Sequence, residues 1–209
     1  MNVPASSNNL TVWADVVCPY CYFASPAIDK VAKRLGLRVV YRPFELHPDV
    51  PPGGAPKPFP DSEWPARQAK FTEIARQVRL PMRPRRDNCN SRLVLETQEL
   101  VRDRRGEDAV IGFHRAAATG FFVDHANIAD VAVVGALGSP FGLTADDVAD
   151  AWARRDYRRR VDDAMATAHH LGVQGVPAYI APGSRLGSGF VSADVMLDQL
   201  RNVQSADRT

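Results

Sequence analysis

The chain has 209 residues, 45% of them hydrophobic, and a formal net charge of +2 at pH 7. That length suits one domain, or one domain with an insertion, with enough apolar sequence for a real core, and the near balance of charge excludes the strong basic character of a nucleic-acid binder or an electrostatic membrane binder. Three cysteines are too few for a disulfide-framed secreted scaffold, and no run approaches the roughly 18 apolar residues of a membrane span.

The start, Met1–Asn9, is polar and lacks the charged and apolar regions of a signal peptide, so the expectation is a soluble, cytoplasmic protein. Leu10 to Val17 is β-rich and partly alternating and reads as a strand. A helical pattern follows Cys18, with Ile28, Val31, Ala32 and Leu35 as its apolar stripe, Pro26 expected to kink or restart it, and Gly36 as C-cap. Leu37 to Pro43 alternates as a second strand, completing a β–α–β unit with parallel strands. Glu45 to Pro60, rich in proline and glycine, reads as an extended loop.

Residues 61 to about 171 show helical periodicity and almost no strand signal. A helix capped by Asp61 or Ser62 should run to Val78, with Trp64, Phe71, Ile74 and Val78 inward. Ser91 should cap the next, Arg92 to Arg105, closed by Gly106; further helices are expected over Glu107–Phe122, Asn127–Leu137, from a Thr144/Asp147 capping box, and over Asp156–Leu171. The arginine clusters 83–86 and 158–160 read as solvated faces. Strand character returns at Val176–Ile180 and Leu186–Val191, and Ser192 caps a last helix, Ala193–Val203, before a frayed tail from Gln204. The division expected is a thioredoxin-like domain from residues 1–60 and 172–209, split by a helical domain, 61–171.

The chemistry is concentrated in Cys18-Pro19-Tyr20-Cys21, at a strand-to-helix junction. Unpaired N–H groups and the macrodipole at a helix N-terminus favour a thiolate over a thiol. Cys21, one turn later, is within reach to close a disulfide. Cys18 is the candidate nucleophile and Cys21 the resolving thiol. Half a zinc site and an inert buried pair are the other uses of such a motif; no second CxxC exists and Cys89 has no matching ligand cluster, so no metal is assigned.

The order of elements with CxxC at the first helix is the thioredoxin arrangement, and the helices between the halves narrow it further. The chain resembles the DsbA-like thioredoxin superfamily, in its FrnE-like branch, through Asp15-Val16-Val17-Cys18-Pro19-Tyr20-Cys21-Tyr22, Arg42-Pro43-Phe44-Glu45-Leu46-His47-Pro48 and Leu171-Gly172-Val173-Gln174-Gly175-Val176-Pro177-Ala178-Tyr179. The resemblance covers about residues 10 to 203 and implies an α/β fold: a thioredoxin fold with a large all-helical insertion. The Pro-Tyr dipeptide departs from the Pro-Trp usual in FrnE-like sequences and the Pro-His of secreted DsbA proteins. It also implies a cis bond before Pro177 and a loop facing the dithiol, with Val176 offering backbone groups to an extended substrate. Pro19, Tyr20, Val176 and Pro177 are therefore the substrate-binding candidates. Asn90 and Cys89 are secondary candidates, because an asparagine in such a loop approaches the active centre of related kappa glutathione transferases. Asp15, three residues before Cys18, is read as a proton acceptor or a local polar contact.

The resulting function is a thiol–disulfide oxidoreductase acting on protein or small-molecule thiols and disulfides, needing no cofactor beyond an external thiol such as glutathione or an equivalent. The alternatives are a glutathione-dependent isomerase or transferase of the kappa or 2-hydroxychromene-2-carboxylate isomerase kind, which usually carries serine where Cys18 stands, and a non-catalytic, chaperone-like peptide binder. The oligomeric state is not legible.

Overall fold

The computed structural model describes residues 8–201. The expected tail from Gln204 and the end of the last expected helix lie outside them. Strand β1 (Asn9–Ala14) is the centre of a four-stranded sheet with β2 (Arg38–Pro43), β5 (Ala178–Ile180) and β6 (Gly187–Ser188), in the order β2-β1-β5-β6. β1 runs parallel to β2, with Leu10 opposite Val39 and Val12 opposite Tyr41, and antiparallel to β5, with Val12 opposite Tyr179. A parallel pair needs a crossover, and helix α1 (Pro19–Leu35) provides it.

Strand alternation sorts the core into two layers. Leu10, Val12, Ala14, Val39, Tyr41 and Tyr179 belong to one cluster with Phe23, Ile28 and Val31 of α1 and Met196, Leu197 and Leu200 of α8 (Ala193–Arg201). Trp13 and Ala178 belong to the other, with Phe44, Val173 and Ala168 of α7 (Arg158–His170). Val195 of α8 faces outward. Gly187 sits beneath the Tyr179 ring: a Cβ there would come within 2.2 Å of Tyr179 Cε2, so only glycine fits.

The remaining helices are α2 (Trp64–Val78), α3 (Arg92–Arg105), α4 (Glu107–Phe122), α5 (Val131–Gly138) and α6 (Ala145–Arg154). α3 is the hub, packing on α4, α5, α6 and α7, and its whole middle, Leu93–Val101, is buried, polar residues included. Those polar groups find partners except at Gln98 Nε2, which is buried without one. Thr97 donates to the Leu93 carbonyl at 2.8 Å, Gln98 meets His114 at 2.9 Å, and Glu96 and Glu99 pair with Arg92 and Arg102.

Several expectations are corrected. β1 stops at Ala14, because Asp15–Val17 make a turn instead of extending the strand. Pro26 does not restart α1: the helix is continuous through it. A helical proline leaves the carbonyl four residues back without its N–H partner, and here Ser25 Oγ donates to the Tyr22 carbonyl at 2.8 Å. No side chain of Asp61 or Ser62 caps α2; a 3-10 turn, Asp61–Glu63, leads into it. In α2 only Ala75 is fully buried; Phe71, Ile74 and Val78 pack on the core while half-buried. α5 begins at Val131, later than Asn127, because the Asp130 carboxylate accepts from Ala132 N and Val133 N and fixes the start there. α7 begins at Arg158 rather than Asp156. A short pair, β3 (Ala55–Pro56) with β4 (Asp87–Asn88), clasps the proline-rich loop to the region before α3. The 83–86 arginines are not simply solvated: Arg85 is 9% exposed in its side chain, lies over the Phe121 ring and pairs with Asp87. The Thr144/Asp147 capping box at α6 forms as expected.

Candidate active site

The turn after β1 delivers Cys18 to the N-terminus of α1. Cys18 N–H donates to the Asp15 carbonyl at 3.1 Å, and the Cys18 carbonyl accepts the first helical bond, from Tyr22 N–H, at 3.1 Å. Cys18 is the N-cap, in extended backbone with φ −83° and ψ 112°, and its sulfur accepts from Cys21 N–H at 3.3 Å. The sulfur takes the place a serine or aspartate oxygen holds in an ordinary cap. Pro19 opens the helix where a missing N–H costs nothing. Cys21 returns one turn on, against the first cysteine, and both thiols are unlinked.

The segment before β5 faces this turn. Its Val176–Pro177 peptide is cis, the Pro177 carbonyl is taken by Gly189 N–H at 2.8 Å, and the Val176 carbonyl lies 3.5 Å from Cys18 Sγ, placed to accept its S–H. Val176 therefore turns its carbonyl on Cys18 instead of leaving it free. Cys18 is only 2% exposed and Cys21 5%. Tyr20 is half-buried, with its ring 6.0 Å from that of Phe71 edge-on and 6.5 Å from that of Phe190 in a stack, tying α1 to α2 and to the approach of α8.

Asp15 is fully buried below the dithiol. Its carboxylate accepts from Leu46 N–H at 2.8 Å, Ser91 Oγ at 2.9 Å and, more weakly, Val17 N–H at 3.3 Å. Burial pushes its pKa up to about 6; the three donors, Leu46 foremost, pull it down, and the nearby Glu45 charge pushes it up. Cys21 is held well above the usual thiol range by burial first, then by the Cys18 sulfur beside it, with the Asp15 charge adding to the rise. The turn thus gathers a thiol at a helix N-cap, a second thiol held protonated by its burial, and a buried carboxylate whose charge acts on that second thiol.

Of the secondary candidates, Asn90 is structural. It donates to the Val50 carbonyl at 2.8 Å and accepts from Arg92 N–H at 2.9 Å, capping α3 and pinning the proline-rich loop. Cys89 is buried, its sulfur 3.6 Å from Asn127 Oδ1 and 3.7 Å from the Asn90 carbonyl; neither partner belongs to the dithiol turn, and burial raises the thiol's pKa. The sequence assigns Ser91 only a capping role. It occupies the N-cap position of α3 but makes no cap bond; its hydroxyl goes to Asp15. The signal was present in the sequence: Asn90 and Ser91 are adjacent cap residues, and a helix needs one. Among the described residues no group of three His, Cys, Asp or Glu is arranged to hold a metal. A cleft of about 440 Å³ lined by Trp13, Arg42, Glu99, Arg102, Arg160 and Thr167 contains no dithiol residue.

Compared with known families, the chain matches the DSBA-like thioredoxin domain over residues 9–201. It belongs to that family. Among solved structures it is similar to a probable DsbA oxidoreductase of Streptomyces coelicolor, with 24% identity, a TM-score of 0.83, and coverage of 96% of this chain and 91% of the other. The cytosolic disulfide reductase DsbM of Pseudomonas aeruginosa, solved with GSH, shares 20% identity at a TM-score of 0.65, covering 91% and 93% of the two chains. A 2-hydroxychromene-2-carboxylate isomerase shares 15% identity at a TM-score of 0.69, covering 90% and 92%. The DsbA-like chain thus has the thioredoxin fold with inserted helices expected from its motifs, in a family of oxidoreductases and isomerases. No helix among its described residues is long and apolar enough to cross a membrane.

Proposed function

We propose that this DsbA-like protein is a thiol–disulfide oxidoreductase in which Cys18 exchanges with protein or small-molecule disulfides and Cys21 resolves the product. The observation that carries this reading is the Cys18 sulfur at the α1 N-cap, accepting the Cys21 amide at 3.3 Å, with a second thiol one turn behind it. In the reducing direction, Cys18 thiolate attacks one sulfur of a substrate disulfide. A Cys18–substrate disulfide forms and the other substrate sulfur leaves as thiolate. Cys21 then gives its proton to the Asp15 carboxylate and attacks the Cys18 sulfur. The Cys18–Cys21 disulfide forms and the second substrate thiolate departs, so the substrate gains two electrons and the dithiol loses them. An external thiol of the glutathione class reverses the protein's oxidation by the same exchange; no bound cofactor enters the cycle. In the oxidising direction the steps run backward.

Burial of Cys18 fits this cycle. The Val176 carbonyl accepts an S–H, and ionisation removes that donor. The oxygen then faces an anion, and the repulsion loosens the loop over the sulfur as the nucleophile becomes competent. The freed Val176 backbone, with Pro177, Pro19 and the Tyr20 ring, forms the edge on which a substrate strand would lie. A cytosolic location is supported by the DsbM likeness.

The test is Cys21→Ser, mixed with oxidised glutathione and with disulfide-bonded client proteins. The variant should accumulate mixed disulfides through Cys18, while the wild type equilibrates between dithiol and disulfide in a glutathione redox buffer. Turnover independent of Cys21, or a wild type with no reversible disulfide, overturns the reading.

A further inference from the structure

We infer that Ser91, carried by the helical insertion, is a positioning residue for the dithiol: its hydroxyl holds the buried Asp15 carboxylate ready to take the proton of Cys21. The inference rests on the oxidoreductase reading above. Its first support is geometric. Ser91 Oγ lies 2.9 Å from Asp15 Oδ2, and the two residues are 1% and 0% exposed, so no solvent competes for the bond.

The second support is what Ser91 gives up to make it. A serine at an N-cap ordinarily spends its hydroxyl on the first turn. Here the Ser91 side chain makes no cap bond, and Asn90 Oδ1 takes Arg92 N–H at 2.9 Å instead. Local preference is overridden in favour of Asp15, which is the pattern expected at functional positions. The third is that the other two donors to the carboxylate, Leu46 N–H and Val17 N–H, are backbone groups. Ser91 supplies the side-chain donor, and it is the one that sequence can change.

The titratable groups that act on Asp15 are Cys21 of α1 and Glu45 of the loop after β2. Glu45 is itself paired with Arg92 at 3.1 Å, the residue next to Ser91, and Arg92 is also held by Glu96 and Asp162, each at 2.7 Å. The start of α3 therefore acts on Asp15 twice: Arg92 answers the neighbouring negative charge, and Ser91 bonds the carboxylate directly.

A hydroxyl donated to a carboxylate favours the ionised form. Without it Asp15, which titrates at about 6, should move up by about one pH unit. The ionised fraction near pH 6 would fall by about fivefold, with little change near pH 8. The experiment is Ser91→Ala, with single-turnover release of glutathione from the Cys18 mixed disulfide followed between about pH 5 and 8.5, and Asp15 titrated by infrared difference spectroscopy. The expected result is a profile displaced upward by about one unit, about fivefold slower near pH 6 and close to wild type near pH 8, with Ser91→Thr restoring the original midpoint. A profile that superimposes on the wild type, or falls by the same factor at every pH, overturns the inference and leaves the oxidoreductase reading standing. If Ser91→Ala does not fold, Ser91→Gly, an accepted cap residue without a hydroxyl, carries the comparison. A wild type that never releases glutathione refutes the oxidoreductase reading, and the inference with it.

Discussion

Asp15→Asn should gain stability relative to wild type as pH rises, while impairing the proposed exchange chemistry. Asp15 is fully buried, and its pKa rises from an ordinary 3.8 to about 6, chiefly through that burial. The folded state therefore binds this proton more tightly than the unfolded chain. The sign follows by linkage: the group favours folding most below pH 3.8, where it is protonated in both states, and that contribution is lost as pH rises through 6. A displacement of about 2 pH units corresponds to about 3 kcal/mol. Asparagine has the same shape and no charge, so it escapes the pH-dependent cost, whatever fixed difference its altered hydrogen bonds bring. The stability of the variant relative to wild type should thus climb by about 2.5 kcal/mol between pH 4 and pH 8. Urea denaturation of both reduced proteins across that range measures it, because the other titrating groups cancel in the difference. A difference that stays flat with pH, or declines, refutes the assignment of Asp15 as a buried, strained carboxylate. The same variant should release glutathione from its mixed disulfide slowly, because the proposed exchange has Asp15 take the proton of Cys21.

Two further substitutions probe the frame around the site. Arg92→Met removes the partner of Glu45 and Glu96, both largely buried, and of the exposed Asp162; stranding buried carboxylates should cost about 3 kcal/mol at pH 7. The cost should shrink toward pH 4, as Glu96, already raised by burial, takes up a proton; equal losses at both pH values in urea denaturation would count against the pairing. Gly135→Ala places a Cβ 2.5 Å from the Ala145 Cα where α5 crosses α6, and should cost about 2 kcal/mol through overpacking. Thermal melting reads that loss, and the equilibrium with glutathione should be unchanged, because the crossing holds no dithiol residue.

The parts of this molecule that a sequence states plainly are those governed by local rules. The limits of α3 and α4, Gly36 and Gly106 as helix ends, and the Thr144/Asp147 box follow from periodicity and capping chemistry that act within a few residues. The CxxC at the strand-to-helix junction is local in the same sense. What was not legible depends on partners far along the chain. The buried run Glu96–Glu99 looks like a solvated helix face, with Arg92 and Arg102 one turn away to pair its carboxylates, until packing of α4 brings His114 against Gln98. Arg85 looks like a surface charge until the Phe121 ring and Asp87 enclose it. Pro26 looks like a helix breaker because the rescue by Ser25 Oγ is a matter of rotamer, which periodicity does not report.

The dithiol centre combines both kinds of information, and this bears on what the helical insertion is for. Cys18, Pro19 and Cys21 sit within one turn of helix and are visible together. Asp15 is three residues away, yet its protonation is set first by burial and then by Leu46 N–H from beyond β2, Ser91 Oγ from α3 and the Glu45 charge. The Val176 carbonyl arrives from beyond α7. A two-cysteine motif can therefore specify that exchange occurs, but not at what pH the resolving thiol becomes available. On the inference above, the insertion would supply that second quantity through the first turn of α3, a role beyond covering the thioredoxin-like layers. Relatives that keep the CxxC but change the residue before Arg92's position would share the chemistry and differ in the pH at which it completes.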